Sequence, residues 1–312
     1  MAGQTGVKIT KFFHPTFMVD DLEAARRFYS KIFGVPSTTI PYSDQGAAYR
    51  TLTVVADTCI ENISPEQTHL SQFRMYHDIV GNHWFFPCFY VSDMQDAVYQ
   101  LHHRHRIRLT ASGSGKPVIG TPPGNEQRTL LYTHPADTGI MWEFWEGSDV
   151  WFQTSPLADP RMKPGWKQIQ PGPDDAMGVE YLAHQTVVLR DPALALKFLV
   201  DICGGRLFAE GRNEALGTNS HWVVVGEEPI VFEIATPIAD GPCRKDLERV
   251  GNTAHSITFK VRDLGRAAEH LLACGVGLEV QTADLVVTDP STAMGFRLGF
   301  TSVLEANDPR RL

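Results

Sequence analysis

The 312-residue chain has no long apolar run: nothing approaches the roughly 20 consecutive apolar residues that a bilayer-spanning helix needs. Its opening residues, MAGQTGVKIT, lack the apolar segment of a secretory signal, so a soluble cytoplasmic protein with no membrane partner is expected. Cysteine is scarce. The five residues (Cys59, Cys88, Cys203, Cys243 and Cys274) are scattered and never spaced as CxxC, which argues for reduced, mostly buried thiols and against a disulfide framework or zinc finger. Positive charge is also in deficit, and a formal net charge of −8 disfavours nucleic acid as a partner. The one basic cluster, HHRHRIR at 102–108, has the spacing of a solvated helix end. Also missing are GxSxG, a P-loop and a GxGxxG after a strand, so nucleophile-elbow hydrolases and nucleotide enzymes lack support.

What is present is repetition. The stretch HPTFMVDDLEAARRFY (14–29) lies over FPCFYVSDMQDAVYQL (86–101), HQTVVLRDPALALKFL (184–199) and AHSITFKVRDLGRAAEHL (254–271), the last with a one-residue uncertainty in register. Each copy is a short alternating run, then an acidic residue suited to an N-cap, then apolar residues at helical spacing. Strand-like sequence follows each copy: TLTVVADTCIENI, TLLYTHPADTGIMWEFWE, HWVVVGEEPIVFEIATP and LVVTDPSTAMGFRLGFTSV. The unit is therefore β-α-β-β-β, repeated four times in an α+β chain. Between the second and third copies runs a Pro- and Gly-rich segment, 148–178, with little periodicity. Two cupped-sheet domains are expected, 1–147 and 179–312, each a pair of units, with 148–178 as linker.

The motifs HPTFMVDDLEAARRFYSKIFGVP and THPADTGIMWEFWE, with the fourfold repeat, resemble the vicinal oxygen chelate superfamily, and the resemblance covers nearly the whole chain. That superfamily includes glyoxalase I, bleomycin-resistance proteins, methylmalonyl-CoA epimerase and extradiol ring-cleaving dioxygenases. The resemblance implies paired units curled around a divalent metal (Fe, Mn, Co, Ni or Zn), bound by His or Gln on first strands and Glu on last strands. At the first-strand positions here stand His14, Phe86, His184 and Ser256, with His255 beside the last. At the last-strand positions stand Glu61, Glu143, Glu233 and Gly299; Gly139 precedes Glu143 by four residues as Gly295 precedes Gly299.

The implied metal set is His14, Glu61 and Glu143, with Glu143 or Glu61 as the catalytic base. A second set is His184, Glu233 and His255, the last only if a bulge shifts its strand. Pairing of units two and three would instead cluster Glu143, His184 and Glu233. Each Glu competes with a bland reading as a carboxylate on a solvated face or beside an Arg, though a Glu among large apolar neighbours needs a partner when buried. Phe86, Trp142 and His221 are candidates for a substrate pocket.

Three functions compete. The first is a metal-dependent lyase or isomerase acting on a small oxygenated, aromatic or apolar substrate. The second is an extradiol-type dioxygenase, whose two-His, one-Glu triad is damaged by Gly299. The third is a metal-free binding or resistance protein, which Phe86 in a ligand position favours. Self-association is compatible with all three, since paired units already complete each cup.

Overall fold

Asp21, Asp93 and Asp263 each accept a hydrogen bond from the backbone N–H three residues on (2.9, 3.0 and 3.0 Å), and Asp191 accepts from Ala193 N–H at 2.9 Å. The same position of every repeat thus starts a helix by satisfying one of its free amides. The helix Leu22–Phe33 then buries Ala25, Phe28, Tyr29 and Ile32, a spacing that places all four on one face, and stops at Gly34 in the left-handed conformation (φ 66°). The structure, a computed structural model, describes residues 6–43, 48–65, 72–111, 116–117, 124–125, 128–147, 149–155 and 158–311. Among them no helix is long and apolar enough to cross a membrane.

The first sheet is built from β1 (Ile9–Met18), β2 (Ser37–Ser43), β3 (Ala48–Val55), β4 (Thr58–Pro65), β5 (His83–Val91), β6 (Leu109–Ala111), β7 (Lys116–Pro117), β8 (Gly124–Asn125), β9 (Arg128–Thr133) and β10 (Glu143–Gly147). Its order is β2-β3-β4-β1-β5-β10-β9-β6-β7, with β8 paired to β9. The second contains β11 (Val179–Val188), β12 (Arg206–Asn213), β13 (Thr218–Val225), β14 (Ile230–Pro237), β15 (Thr253–Val261), β16 (Leu278–Gln281), β17 (Leu285–Thr288) and β18 (Leu298–Thr301), in the order β12-β13-β14-β11-β15-β18-β17-β16. In both, a unit's first strand runs parallel to its own last strand, and two units join through antiparallel first strands, β1 with β5 and β11 with β15. Units one and two therefore share a sheet, as do three and four, and among the described residues no strand of unit two pairs with one of unit three.

One face of each sheet packs into a common apolar core that includes Phe12, Phe17, Phe89 and Phe144 from the first and Phe232, Phe259 and Phe300 from the second. Phe12 and Phe89 both meet Phe232 edge-on, with ring centroids 6.0 and 5.7 Å apart. The other face of the first sheet is lined by a separate cluster: Phe13, Phe86, Cys88, Tyr90, Tyr132 and Trp145, capped by Phe73 and Phe152. The corresponding face of the second sheet holds only a small cluster around Val188, Ala235 and Leu247. The two cups therefore differ, the first lined with aromatic rings and the second largely open.

Residues 148–178 do more than connect. Asp159 and Arg161, both buried, sit at a 3₁₀ turn (Pro160–Met162), and the guanidinium donates to the carbonyls of Phe12 and Phe13 at 2.7 and 2.6 Å and to that of Asp57. The chain ends with the same device: Arg310, held by Asp308 at 2.7 Å, donates to the carbonyls of Leu182 (2.9 Å) and Ala183. The triplet Asp-Pro-Arg follows each sheet and fastens to the same two residues of its first strand.

Candidate metal centre

His14 lies in β1 where the pairing with β5 slips by one residue, between Phe12 and His14. The two carbonyls immediately before it are the ones Arg161 clamps, so the local bulge that aims His14 is fixed from outside the strand. Register places His14 opposite Cys88, Cys88 opposite Glu143, and Thr16 opposite Glu61, so all five side chains share the concave face. His14, Glu143 and Glu61 are all more than nine-tenths buried.

Hydrogen bonding fixes the state of the imidazole. Thr16 Oγ1 donates its one proton to Glu61 Oε2 (3.2 Å), so at its 3.0 Å contact with His14 Nδ1 it must accept. Nδ1 carries the ring proton, and the Nε2 lone pair points into the cup. Burial, aided by the Arg161 and Arg50 charges, holds His14 well below its ordinary pKa and so neutral. Facing that lone pair, each 3.8 Å away, are Glu61 Oε2 and Glu143 Oε2. Trp145 Nε1 donates to Glu143 Oε1 at 2.8 Å, while Glu143 Oε2 is buried with no hydrogen-bond partner among the described residues. The His14 lone pair and two carboxylate oxygens thus converge, an arrangement that a cation satisfies.

Donor distances rank the residues. Two atoms each about 2.0–2.2 Å from one ion can be at most ~4.4 Å apart. Among the described residues, the three metal-type donors lying mutually within 4.8 Å are His14, Cys88 and Glu143. Glu61 reaches His14 but stands outside that trio. Its Oε1 is 3.3 Å from Arg50 Nε, and Thr16 holds its other oxygen. Burial raises its pKa, with Arg50 and Thr16 opposing.

Glu143 is pushed up to about 8 by burial and then by the Glu61 charge, against hydrogen bonds from Trp145, Cys88 and Tyr132. The folded carboxyl keeps its proton to about pH 8, whereas the unfolded one releases it near 4.5. This contribution to stability is complete below the unfolded value and is lost as pH rises through the folded one. EDTA-treated protein is expected to lose denaturation midpoint between about pH 5 and pH 8.5, and Glu143→Gln to lack that loss. Urea midpoints across the range check it.

The second cup contrasts. His184 Nε2 is 3.7 Å from Glu233 Oε2, but Glu233 is already satisfied by Thr186 (2.8 Å), Ser220 (2.7 Å) and Asn213 (2.9 Å). Gly299 pairs with Thr258 as Glu143 pairs with Cys88, and a β-carbon at Gly299 would fall 2.3 Å from Thr258 Oγ1. The expected third donor, His255, does not join. A bulge does occur at His255, between the pairs Thr186–Ser256 and Val187–Ala254. Its ring instead bonds Asp246 Oδ2 at 2.8 Å, an oxygen shared with His83 (2.9 Å) from the first half and Arg297 (3.2 Å). The second cup is an open cavity of about 370 Å³, with His184, Trp222 and Arg212 among its walls.

Two of the three pocket candidates lie elsewhere. Trp142 precedes Glu143 by one residue and so faces away, stacking on Phe89 in the core between the sheets with centroids 5.8 Å apart. Trp145, two residues beyond Glu143, takes the place in the cup. His221 likewise faces away, because Trp222 is the residue opposite Glu233. Phe86 is in the first cup, packed on Phe73 and Tyr132. Thr16 and Cys88 also belong to the site: each stands two residues after a first-strand ligand position, and so on the same face.

No family model and no curated protein matches the sequence. Solved structures do resemble the fold. A triple mutant of 4-hydroxymandelate synthase from Streptomyces coelicolor superposes with a TM-score of 0.66 at 12% identity, covering 97% of this chain and 95% of that one. The 2,3-dioxygenase LapB from Pseudomonas sp. KL28 gives 0.57 at 12% (96% and 93% covered), and the Mn(II)-bound glyoxalase from Novosphingobium aromaticivorans 0.55 at 13% (96% and 84%). Paired units, parallel first and last strands and these likenesses together establish that the chain has the vicinal oxygen chelate fold, with four units in one polypeptide.

Proposed function

We propose that the protein is a metal-dependent lyase or isomerase with one working centre, in the first cup, acting on a small oxygenated substrate with an apolar or aromatic body. The observation that carries this reading is the convergence of the buried His14 lone pair and the buried Glu143 Oε2, 3.8 Å apart, the latter with no hydrogen-bond partner among the described residues. One neutral imidazole and a carboxylate suit a first-row divalent cation, which when bound would polarise substrate oxygens. His14 and Glu143 would hold it. Glu61, outside the tight donor group and steadied by Thr16 and Arg50, would take and return a proton. Phe86, Tyr132 and Trp145 supply apolar walls that keep water from these groups.

The donor set favours proton transfer over oxygen chemistry. A two-histidine, one-carboxylate triad is the usual arrangement for Fe(II) oxygenases. Here the position of a second histidine carries Phe86, and two carboxylates face one histidine.

Titration of Mn²⁺ into EDTA-treated protein tests the reading. One equivalent is expected to bind, His14→Ala to weaken binding at least about 10-fold, and His184→Ala to leave it unchanged. Absence of binding would make the protein a metal-free binder. Oxygen uptake during turnover would establish the dioxygenase reading instead.

A further inference from the structure

We propose that Cys88 is the third protein ligand of the same centre and sets its preference for zinc-, cobalt- or iron-like cations over Mn²⁺. This rests on the proposed cation site and adds a thiolate to it. Three observations support it. Cys88 is fully buried at the one register position directly opposite both His14 and Glu143, on the strand between theirs. Its sulfur belongs to the trio of donors within 4.8 Å of one another, whereas Glu61 does not. The third is the geometry of its neighbours: His14 Nε2 and Glu143 Oε2, the latter buried and without a hydrogen-bond partner among the described residues, lie 3.8 Å apart.

The chemistry follows from the donor types. Imidazole, thiolate and carboxylate are three protein ligands, the number that leaves a catalytic site open for substrate. Thiolate is the soft member and binds Zn²⁺, Co²⁺ or Fe²⁺ better than Mn²⁺ or Mg²⁺. Loading replaces the Cys88 S–H bond with a sulfur–metal bond, and the proton leaves to solvent. Phe86, two residues away on the same face, carries no donor, so Cys88 is the one residue of β5 in the cup able to contribute one besides the Tyr90 hydroxyl.

Co²⁺ titrated into the metal-free 312-residue chain decides the matter. A bound thiolate gives intense near-ultraviolet sulfur-to-cobalt charge-transfer absorption, which neither imidazole nor carboxylate produces. The wild type is expected to show that band at one equivalent. Cys88→Ser is expected to lose it while still binding Co²⁺ with ordinary visible bands, and Cys59→Ser, altering another buried thiol of the same cluster, to keep it. The ratio of Zn²⁺ to Mn²⁺ affinity is expected to fall about 10–100-fold in Cys88→Ser. Wild-type Co²⁺ binding with visible bands but no charge-transfer band would overturn the thiolate ligand and leave the cation site standing. No Co²⁺ binding at all would overturn both. Since the wild-type spectrum alone is decisive, poor folding of a variant cannot rescue the idea.

Discussion

Glu61→Gln is expected to lower turnover by about 10²–10⁴-fold, the usual loss of a general base, while keeping cation affinity. Glu143→Gln is expected to weaken cation binding by about 10–100-fold, and Glu146→Gln to change neither. The three side chains have similar chemistry and different surroundings. Glu61 is fixed by Thr16 at 3.2 Å and Arg50 at 3.3 Å on its two oxygens; an amide oxygen can keep the Arg50 contact while its NH2 donates to the Thr16 hydroxyl, so the variant loses basicity more than shape. Glu143 presents an unpartnered oxygen to His14, which an amide replaces with a weaker, uncharged donor. Glu146 faces the other way and caps the helix Met94–Val98 by accepting from Met94 N–H at 3.0 Å, as glutamine also can. Cation affinities come from Mn²⁺ titration, and rates from the substrate once it is in hand. Loss of cation affinity in Glu61→Gln, with none in Glu143→Gln, would exchange the two roles.

Much of this was legible because two simple periods carry it. The V-x-D stretch recurs since each unit needs a strand edge, an aspartate cap and an amphipathic helix in that order, and those demands leave a trace at fixed spacing. The turn glycines Gly139 (φ 87°) and Gly295 (φ 92°) kept the last strands in register, so Gly299 was correctly set against Glu143. Alternation also held enough information to choose Trp145 over Trp142 and Trp222 over His221, because the residue next to an inward glutamate must face out. His255 was harder. A bulge at that residue does break the alternation, but where the ring then goes depends on Asp246, which lies on a helix that no local pattern connects to it. The Asp-Pro-Arg triplet at 159–161 and 308–310 repeats as faithfully as the ligands do. It went unread because a turn has no period, and its partners are backbone carbonyls far off in sequence, at positions any residue type could fill.

That triplet carries the largest expected change in stability. Arg161→Ala is expected to destabilise the protein by about 3–5 kcal/mol, the usual result of breaking a buried ion pair from one side, measured by urea or guanidinium unfolding. Asp159 is fully buried, and its two oxygens take four bonds from Arg161, three of them from the guanidinium at 2.6–3.0 Å. Removing the guanidinium strands that charge and frees the carbonyls of Phe12, Phe13 and Asp57. Arg161→Lys should rescue little, because a single ammonium cannot span a carboxylate and several carbonyls as the planar fork does. Arg310→Ala should cost less, since its side chain is 14% exposed against 4% for Arg161 and water can reach the gap. The double variant Asp159→Ala/Arg161→Ala should recover part of the loss, because the stranded charge goes with its partner. A double variant no more stable than Arg161→Ala would mean that the carbonyl bonds, and not the ion pair, hold the turn in place. In either case the bulge before His14 loses its clamp, so the folded fraction of Arg161→Ala should also bind Mn²⁺ more weakly than wild type.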